Sequence, residues 1–302
     1  MITFNRLTKR YGDVTAVDDL CLRLDAGCIH GMLGPNGAGK TTIVRILSTL
    51  TKPTSGTAVV GGFDVVEQPL KVKQQIGVVH QTLNFDPELT GEESLLVHGM
   101  LYRMSRKVLR DRIGEMLQFA DLVDASKRKV STYSGGMKRR LSIARAMVHR
   151  PRVILLDEPT VGLDAHARRR VWDLVRQLRE EGCTIILTTH YIDEAEVLAD
   201  QVVVIDRGRI IAEGSPQFLI SSAGSVAVDF AGPSGTKTEF FENRESAAEF
   251  ISKLETRATI RRANLEDVFI KLTGRRVNPN ESEGDIAHAT SGSRHTARTH
   301  HS

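Results

Sequence analysis

Three short stretches of the chain carry residue types that act on phosphate. Gly34, Pro35, Asn36, Gly37, Ala38, Gly39, Lys40 and Thr41 stand between the apolar run Ile29 to Leu33 and a helix-like segment from Thr42 to Leu50. That is the strand, loop and helix setting of a phosphate cradle. Glycines let backbone N–H groups turn inward around an anion, and a helix N-terminus adds positive potential. Lys40 brings a mobile ammonium to the β- and γ-phosphates of a triphosphate, and Thr41 has the hydroxyl that would hold Mg²⁺.

The second stretch is Val153 to Leu156 followed by Asp157 and Glu158. A strand buried on both faces delivers its last residues to the carboxyl edge of a sheet, where a phosphate loop also opens. Asp157 then reaches the Mg²⁺ shell, while Glu158 points differently and polarises an attacking water. The third stretch is Ser134, Gly135 and Gly136, ahead of a helix through Leu141, Ile143 and Ala144. Serine at an N-cap with two glycines exposes a hydroxyl and N–H groups at a positive helix end, a second phosphate site on a different element.

The elements that must hold these stretches follow from hydrophobic pattern. Residues Ile2 to Leu24 alternate around Tyr11, Gly12 and Asp13, which predicts two antiparallel strands. Wholly apolar runs at Ile29 to Leu33, Ile76 to Val79, Val153 to Leu156, Thr184 to Leu187 and Val202 to Ile205 predict a buried, mostly parallel sheet. Val171, Leu174, Val175 and Leu178 mark one face of an amphipathic helix. Between Gln81 and Pro151 the strands stop, and Glu92 to Ala120 with Ser134 to Arg150 reads as a helical insertion. A helix starts after Pro216, Ser221 to Gly235 is Gly- and Ser-rich, and Val226 to Thr273 resumes as strand, strand, helix, strand, helix.

With 302 residues and 40% hydrophobic content, the chain can bury one substantial core and carry a smaller appendage. The formal net charge of +4 comes from interspersed acids and bases, so no nucleic-acid partner is expected. Arg168, Arg169 and Arg170 are expected on the solvated face of a helix. Cys21, Cys28 and Cys183 have no metal-ligand spacing and suggest buried thiols in a reducing compartment. No apolar run reaches the roughly 18 residues of a membrane span, and Met1 to Arg10 has no secretion-signal core. A soluble, cytosolic chain is expected. Residues 277–302 have few apolar side chains and are expected to be disordered, their histidines at 288, 295, 300 and 301 solvated.

Phosphate loop, acidic strand end and serine-glycine helix start together resemble the nucleotide-binding subunit of the ATP-binding cassette (ABC) family, over roughly Ile2 to Leu219. The resemblance implies an α/β P-loop NTPase core with an N-terminal antiparallel β subdomain. Residues 1–220 would form the ATPase domain with a helical subdomain near 82–150, and 221–275 a small C-terminal α+β appendage before a tail at 276–302. ATP and Mg²⁺ are the implied cofactors, with Thr42 in the nucleotide site beside Thr41. Tyr11 matches the aromatic that stacks on adenine. Gln81 matches the glutamine that touches Mg²⁺ and the water while sensing the membrane partner. Asp164, with Gly162 and Leu163, matches the loop crossing a dimer interface, and His190 the histidine that contacts the γ-phosphate and holds Glu158.

In that family two copies pair head to tail, so the Ser134 signature of one covers the nucleotide of the other. Tyr133 before the signature and Met137, Lys138, Arg139 and Arg140 after it depart from the common form. They resemble the daunorubicin-resistance and nodulation-factor export branch, as does Leu265 to Phe269 with Leu272, Thr273 and Gly274. The implied function is ATP-driven efflux of a drug, lipid or oligosaccharide-like substrate through a separate membrane permease, at the cytoplasmic face of the plasma membrane. A soluble ABC ATPase acting on ribosomes or DNA is the alternative; one phosphate loop, one signature and no sustained heptads favour export.

Overall fold

A computed structural model describes residues 1–232, 235–254 and 256–274. The tail at 276–302, its histidines included, lies outside the described residues. The chain opens with β1 (Ile2–Tyr11) and β2 (Val14–Leu24), antiparallel across the turn at Gly12, with Tyr11 opposite Val14. β3 (Ile29–Leu33) leads through the glycine loop into α1 (Lys40–Leu47). β4 (Ser55–Val60) and β5 (Phe63–Asp64) return to the first pair and complete a four-stranded sheet ordered β2-β1-β4-β5.

After α2 (Pro69–Gln75) and β6 (Ile76–Val79) come three helices, α3 (Gly91–Leu101), α4 (Arg106–Phe119) and α5 (Gly135–Met147). The expected helical stretch from Glu92 to Ala120 is thus two helices. Arg103, at φ 56, breaks it, and Ser105 takes extended backbone at the start of the second. The helix expected from Thr42 to Leu50 begins earlier and ends at Leu47, beyond which Thr49 has φ 60.

The chain continues through β7 (Val153–Asp157), α6 (Ala165–Glu180), β8 (Thr184–Thr189), α7 (Ile192–Leu198), β9 (Gln201–Asp206) and β10 (Arg209–Gly214). The six-stranded sheet runs β10-β9-β3-β8-β7-β6, with β10 antiparallel to β9 and the other pairings parallel. Every residue of β3, β7 and β8 is buried, the mark of strands covered on both faces. Alternate residues divide between the layers. Ile154 and Leu156 pack with Leu141, Val171 and Val175 of the helical side, whereas Val153 and Leu155 pack with Ile43, Leu47 and the antiparallel sheet.

The last part comprises α8 (Pro216–Ala223), β11 (Val226–Gly232), β12 (Gly235–Phe241), α9 (Arg244–Ser252), β13 (Ala258–Arg262) and α10 (Leu265–Thr273). The order expected over Val226 to Thr273 is present, but the supposed Gly- and Ser-rich connection contains the end of α8 and the whole of β11. α9 lies over a three-stranded sheet ordered β12-β11-β13, while α10 turns back to pack Leu265, Val268 and Phe269 with Leu33, Ala195 and Val202.

The cysteines do not behave alike. Cys183 is buried and Cys28 half-buried, but Cys21 is exposed, because it points outward from edge strand β2 between the inward Leu20 and Leu22. Among the described residues no helix is long and apolar enough to cross a membrane.

Candidate functional site

The turn from β3 into α1 is shaped by close backbone approach. A Cβ at Gly34 would stand 2.2 Å from the Ile205 carbonyl oxygen, and Gly39 combines φ 107 with a Cβ position 2.3 Å from the Ala16 carbonyl. Neither place admits a side chain. Gly39 has no side chain to cap α1, so the positive end of that helix meets the loop through backbone alone. Lys40 is 5% exposed, and its Nζ donates to the Gly34 carbonyl at 2.7 Å and the Pro35 carbonyl at 3.1 Å. Asn36 and Gly37 form the exposed tip, with Ala38 buried and Thr42 half-buried behind it.

Parallel pairing of β7 with β8 places Asp157 opposite Thr188. The Thr188 hydroxyl donates to Asp157 Oδ1 at 2.6 Å, and the Thr41 hydroxyl reaches the same oxygen at 3.3 Å. Burial raises the Asp157 pKa and the Thr188 hydrogen bond opposes that rise. Thr41 and Asp157 thus present hard oxygens to one point, a donor set suited to Mg²⁺. Gln81 follows β6, whose Val79 lies opposite Leu156, so it leaves the sheet at the same edge as the acids.

Glu158 has φ 50, a rare region for a residue with a side chain, and its N–H donates to the Thr188 carbonyl at 3.1 Å. That turn separates it from Asp157. Glu158 is 5% exposed; its Oε1 lies 3.5 Å from Lys40 Nζ and its Oε2 2.7 Å from His190 Nδ1. With the carboxylate accepting, Nδ1 is the donor, and that tautomer of a neutral imidazole leaves Nε2 as an acceptor. Lys40, Glu158 and His190 form one bonded set and Thr41, Asp157 and Thr188 another, joined where the Glu158 N–H donates to Thr188.

The other residues expected at the site stand apart from that group. Ser134 is exposed and caps α5, accepting from the Met137 N–H at 3.2 Å. Gly135 and Gly136 are its first turn, and a Cβ on Gly136 would come within 2.9 Å of Ala167 Cβ. Tyr133, by contrast, is buried and donates to the Ala125 carbonyl at 2.7 Å. Asp164 caps α6, accepting from the Ala167 N–H at 2.8 Å and the His166 N–H at 2.9 Å, bonds that lower its pKa. Tyr11 is 43% exposed, with Lys9 Nζ 4.9 Å from its ring centroid. Of the three arginines expected in solvent, Arg169 and Arg170 are exposed. Arg168 is not: it stacks 4.7 Å from the Tyr191 ring and pairs with Asp193 at 3.6 Å.

Sequence reasoning missed three buried polar residues around the acids. Thr188 is one. Glu194, with no exposed surface, accepts from Thr160 at 2.9 Å and Trp172 at 3.1 Å; burial raises its pKa. Arg139 is 3% exposed and donates to the His80 carbonyl. The available signals were two threonines closing an apolar strand and an arginine among the apolar positions of a helix.

The family described as ABC transporter matches residues 17–161. The daunorubicin resistance ATP-binding protein DrrA3 of Streptomyces coeruleorubidus is 40% identical over 302 aligned residues, covering 90% of this chain and 96% of the relative. Nod factor export ATP-binding protein I of Burkholderia lata is 41% identical, covering 91% of this chain and 97% of the relative. A solved dimer of an ATP-binding cassette in a post-hydrolysis state, bound to ADP and Pi, superimposes with a TM-score of 0.64 at 30% identity, covering 71% of this chain and 98% of that one.

Proposed function

Because the chain belongs to the ATP-binding cassette family, we propose that it is the ATP-hydrolysing subunit of an exporter, driving efflux of a drug, lipid or oligosaccharide-like substrate through a separate membrane permease. The observation that carries the hydrolytic part is Glu158, held between Lys40 and His190 by its two oxygens. In this reading Lys40 and the N–H groups of Gly34 to Thr42 bind the β- and γ-phosphates, Tyr11 stacks on adenine, and Glu158 orients the attacking water. His190 fixes Glu158 through Nδ1 and offers its other nitrogen toward the γ-phosphate. Thr41, Asp157 and Gln81 would hold Mg²⁺, which when bound neutralises charge on the phosphate oxygens.

Two copies pair head to tail, with Ser134, Gly135, Gly136 and Asp164 of one completing the nucleotide site of the other. The exposed Ser134 cap supports this arrangement, since its helix N-terminus faces outward. The chain works at the cytoplasmic face of the plasma membrane as a peripheral subunit. α3 supports a protein partner: Val97, Met100 and Leu101 are exposed on it at 46%, 61% and 75%. Affinity purification from solubilised membranes tests the export reading. Co-purification of a multi-span membrane protein whose presence raises ATP hydrolysis is the expected outcome; association with ribosomes or DNA instead would overturn it.

A further inference from the structure

Residues 80–85 leave β6 without regular secondary structure, so any protein donors to their carbonyls come from other elements. α5 provides them. In its second turn Arg139, 3% exposed, donates through its two terminal nitrogens to the carbonyls of His80 at 2.8 Å and Gln81 at 3.0 Å. Farther along the helix, Arg145 donates to the Asn84 carbonyl at 2.9 Å and lays its guanidinium 4.3 Å from the Phe85 ring centroid. One helix thus grips both ends of the segment that carries Gln81.

Burying a guanidinium is unfavourable, and burial pushes the Arg139 pKa below its ordinary value while the charges of Glu194 and Asp157 hold it up. An apolar side chain would fill the space without that cost. A planar fork reaching two successive carbonyls is what arginine adds.

We propose that Arg139 is a positioning residue, locking the backbone at Gln81 to the helix that begins at Ser134 and so presenting Gln81 beside Asp157 and Glu158. The inference rests on the reading of Gln81 as a residue that acts at the nucleotide. A double-mutant cycle on steady-state ATP hydrolysis tests it, using Arg139→Gln, Gln81→Ala and the pair, with hydrogen exchange of residues 80–85 as a readout that needs no turnover. Arg139→Gln lowers kcat about tenfold or more, with KM changed less than about twofold. Added to Gln81→Ala, it costs less than about twofold more, because the group it positions is already gone. Exchange quickens at 80–85 and not at 153–157.

Arg139→Lys keeps the charge without the fork and restores part of kcat; it also replaces Arg139→Gln should that variant fail to fold. Independent, multiplicative losses, an effect on KM in place of kcat, or unchanged exchange at 80–85 would overturn the proposal. If Gln81→Ala alone leaves kcat unchanged, the role of Gln81 falls, and exchange at 80–85 alone decides whether Arg139 holds the segment.

Discussion

Lys40, Glu158 and His190 are tied to one another within a single chain, with Asp157 joined to them through Thr188, whereas Ser134 and Asp164 use their side chains to cap the helices that follow them. The first group is almost wholly buried, and its side chains are held by one another and by Thr188. The second is exposed, and what it offers is a helix end. The difference separates two kinds of chemical competence. The inner group gathers two carboxylates, a lysine and an imidazole at one sheet edge, while the outer group presents helix N-termini to solvent.

The inner group should fail most completely. Glu158→Gln keeps the shape but removes the charge between Lys40 and His190, and hydrolysis should fall about a thousandfold, or roughly 4 kcal/mol in the barrier. ATP binding should persist, because the phosphate loop is untouched, and size-exclusion chromatography with ATP should show an accumulated dimer. Ordinary turnover by this variant would dissolve the distinction, since a buried carboxylate would then have no chemical role.

Acid should separate the halves in the opposite sense. His149, just past α5, stacks on Tyr102 with ring centroids 3.6 Å apart, His98 on α3 tilts against the same ring at 5.1 Å, and burial lowers both histidine pKa values from 6.5 to about 4. A histidine that is neutral when folded contributes full stability above its unfolded pKa and loses it as pH falls toward the folded value. Between pH 6.5 and 4 each imidazole should therefore cost on the order of 3 kcal/mol. Hydrogen exchange should rise in α3 and α5 before it rises in β7 and β8. Simultaneous loss in both regions would show that the helices carrying Ser134 are no less stable than the sheet.

Ser134→Glu tests the outward helix end by placing a carboxylate where phosphate would bind. Hydrolysis should drop about thirtyfold, or roughly 2 kcal/mol, through loss of the ATP-dependent dimer. Nucleotide affinity of the monomer, measured by titration with a fluorescent analogue, should change less than about twofold. An equal loss in the monomer would place Ser134 at its own chain's nucleotide.

What the sequence made legible follows the same division. The glycine loop and the acids after Leu156 are local patterns, each produced by a strand end and the residues next to it, so their place at one sheet edge could be inferred from topology alone. The Ser134 cap was legible for the same reason. Arg139 was not, because its partners lie 59 and 58 residues away and only the packing of α5 on β6 identifies them. Arg168 was misjudged because the ring it covers belongs to the segment after β8, and Cys21 because an apolar residue at a sheet edge is not thereby buried. The kink between α3 and α4 lacks proline or glycine and depends on the backbone of Arg103.

Thr188→Val asks whether the inner group is held as tightly as its geometry implies. Valine matches threonine in shape but removes the hydroxyl that donates to Asp157 at 2.6 Å. The bond stabilises the charged carboxylate, so without it burial should raise the Asp157 pKa further, and stability should fall by roughly 1.5 kcal/mol. The sign with pH is specific. The loss is present where Asp157 is ionised and vanishes as acid protonates it, because a neutral carboxyl no longer needs that donor as strongly. Urea midpoints of parent and variant should therefore differ at neutral pH and converge in acid, and Thr188→Ser, which restores a hydroxyl, should recover most of the difference. A gap between parent and variant that stays constant across the pH range would assign the effect to packing of the β7 and β8 pair and remove Thr188 from the electrostatics of the site.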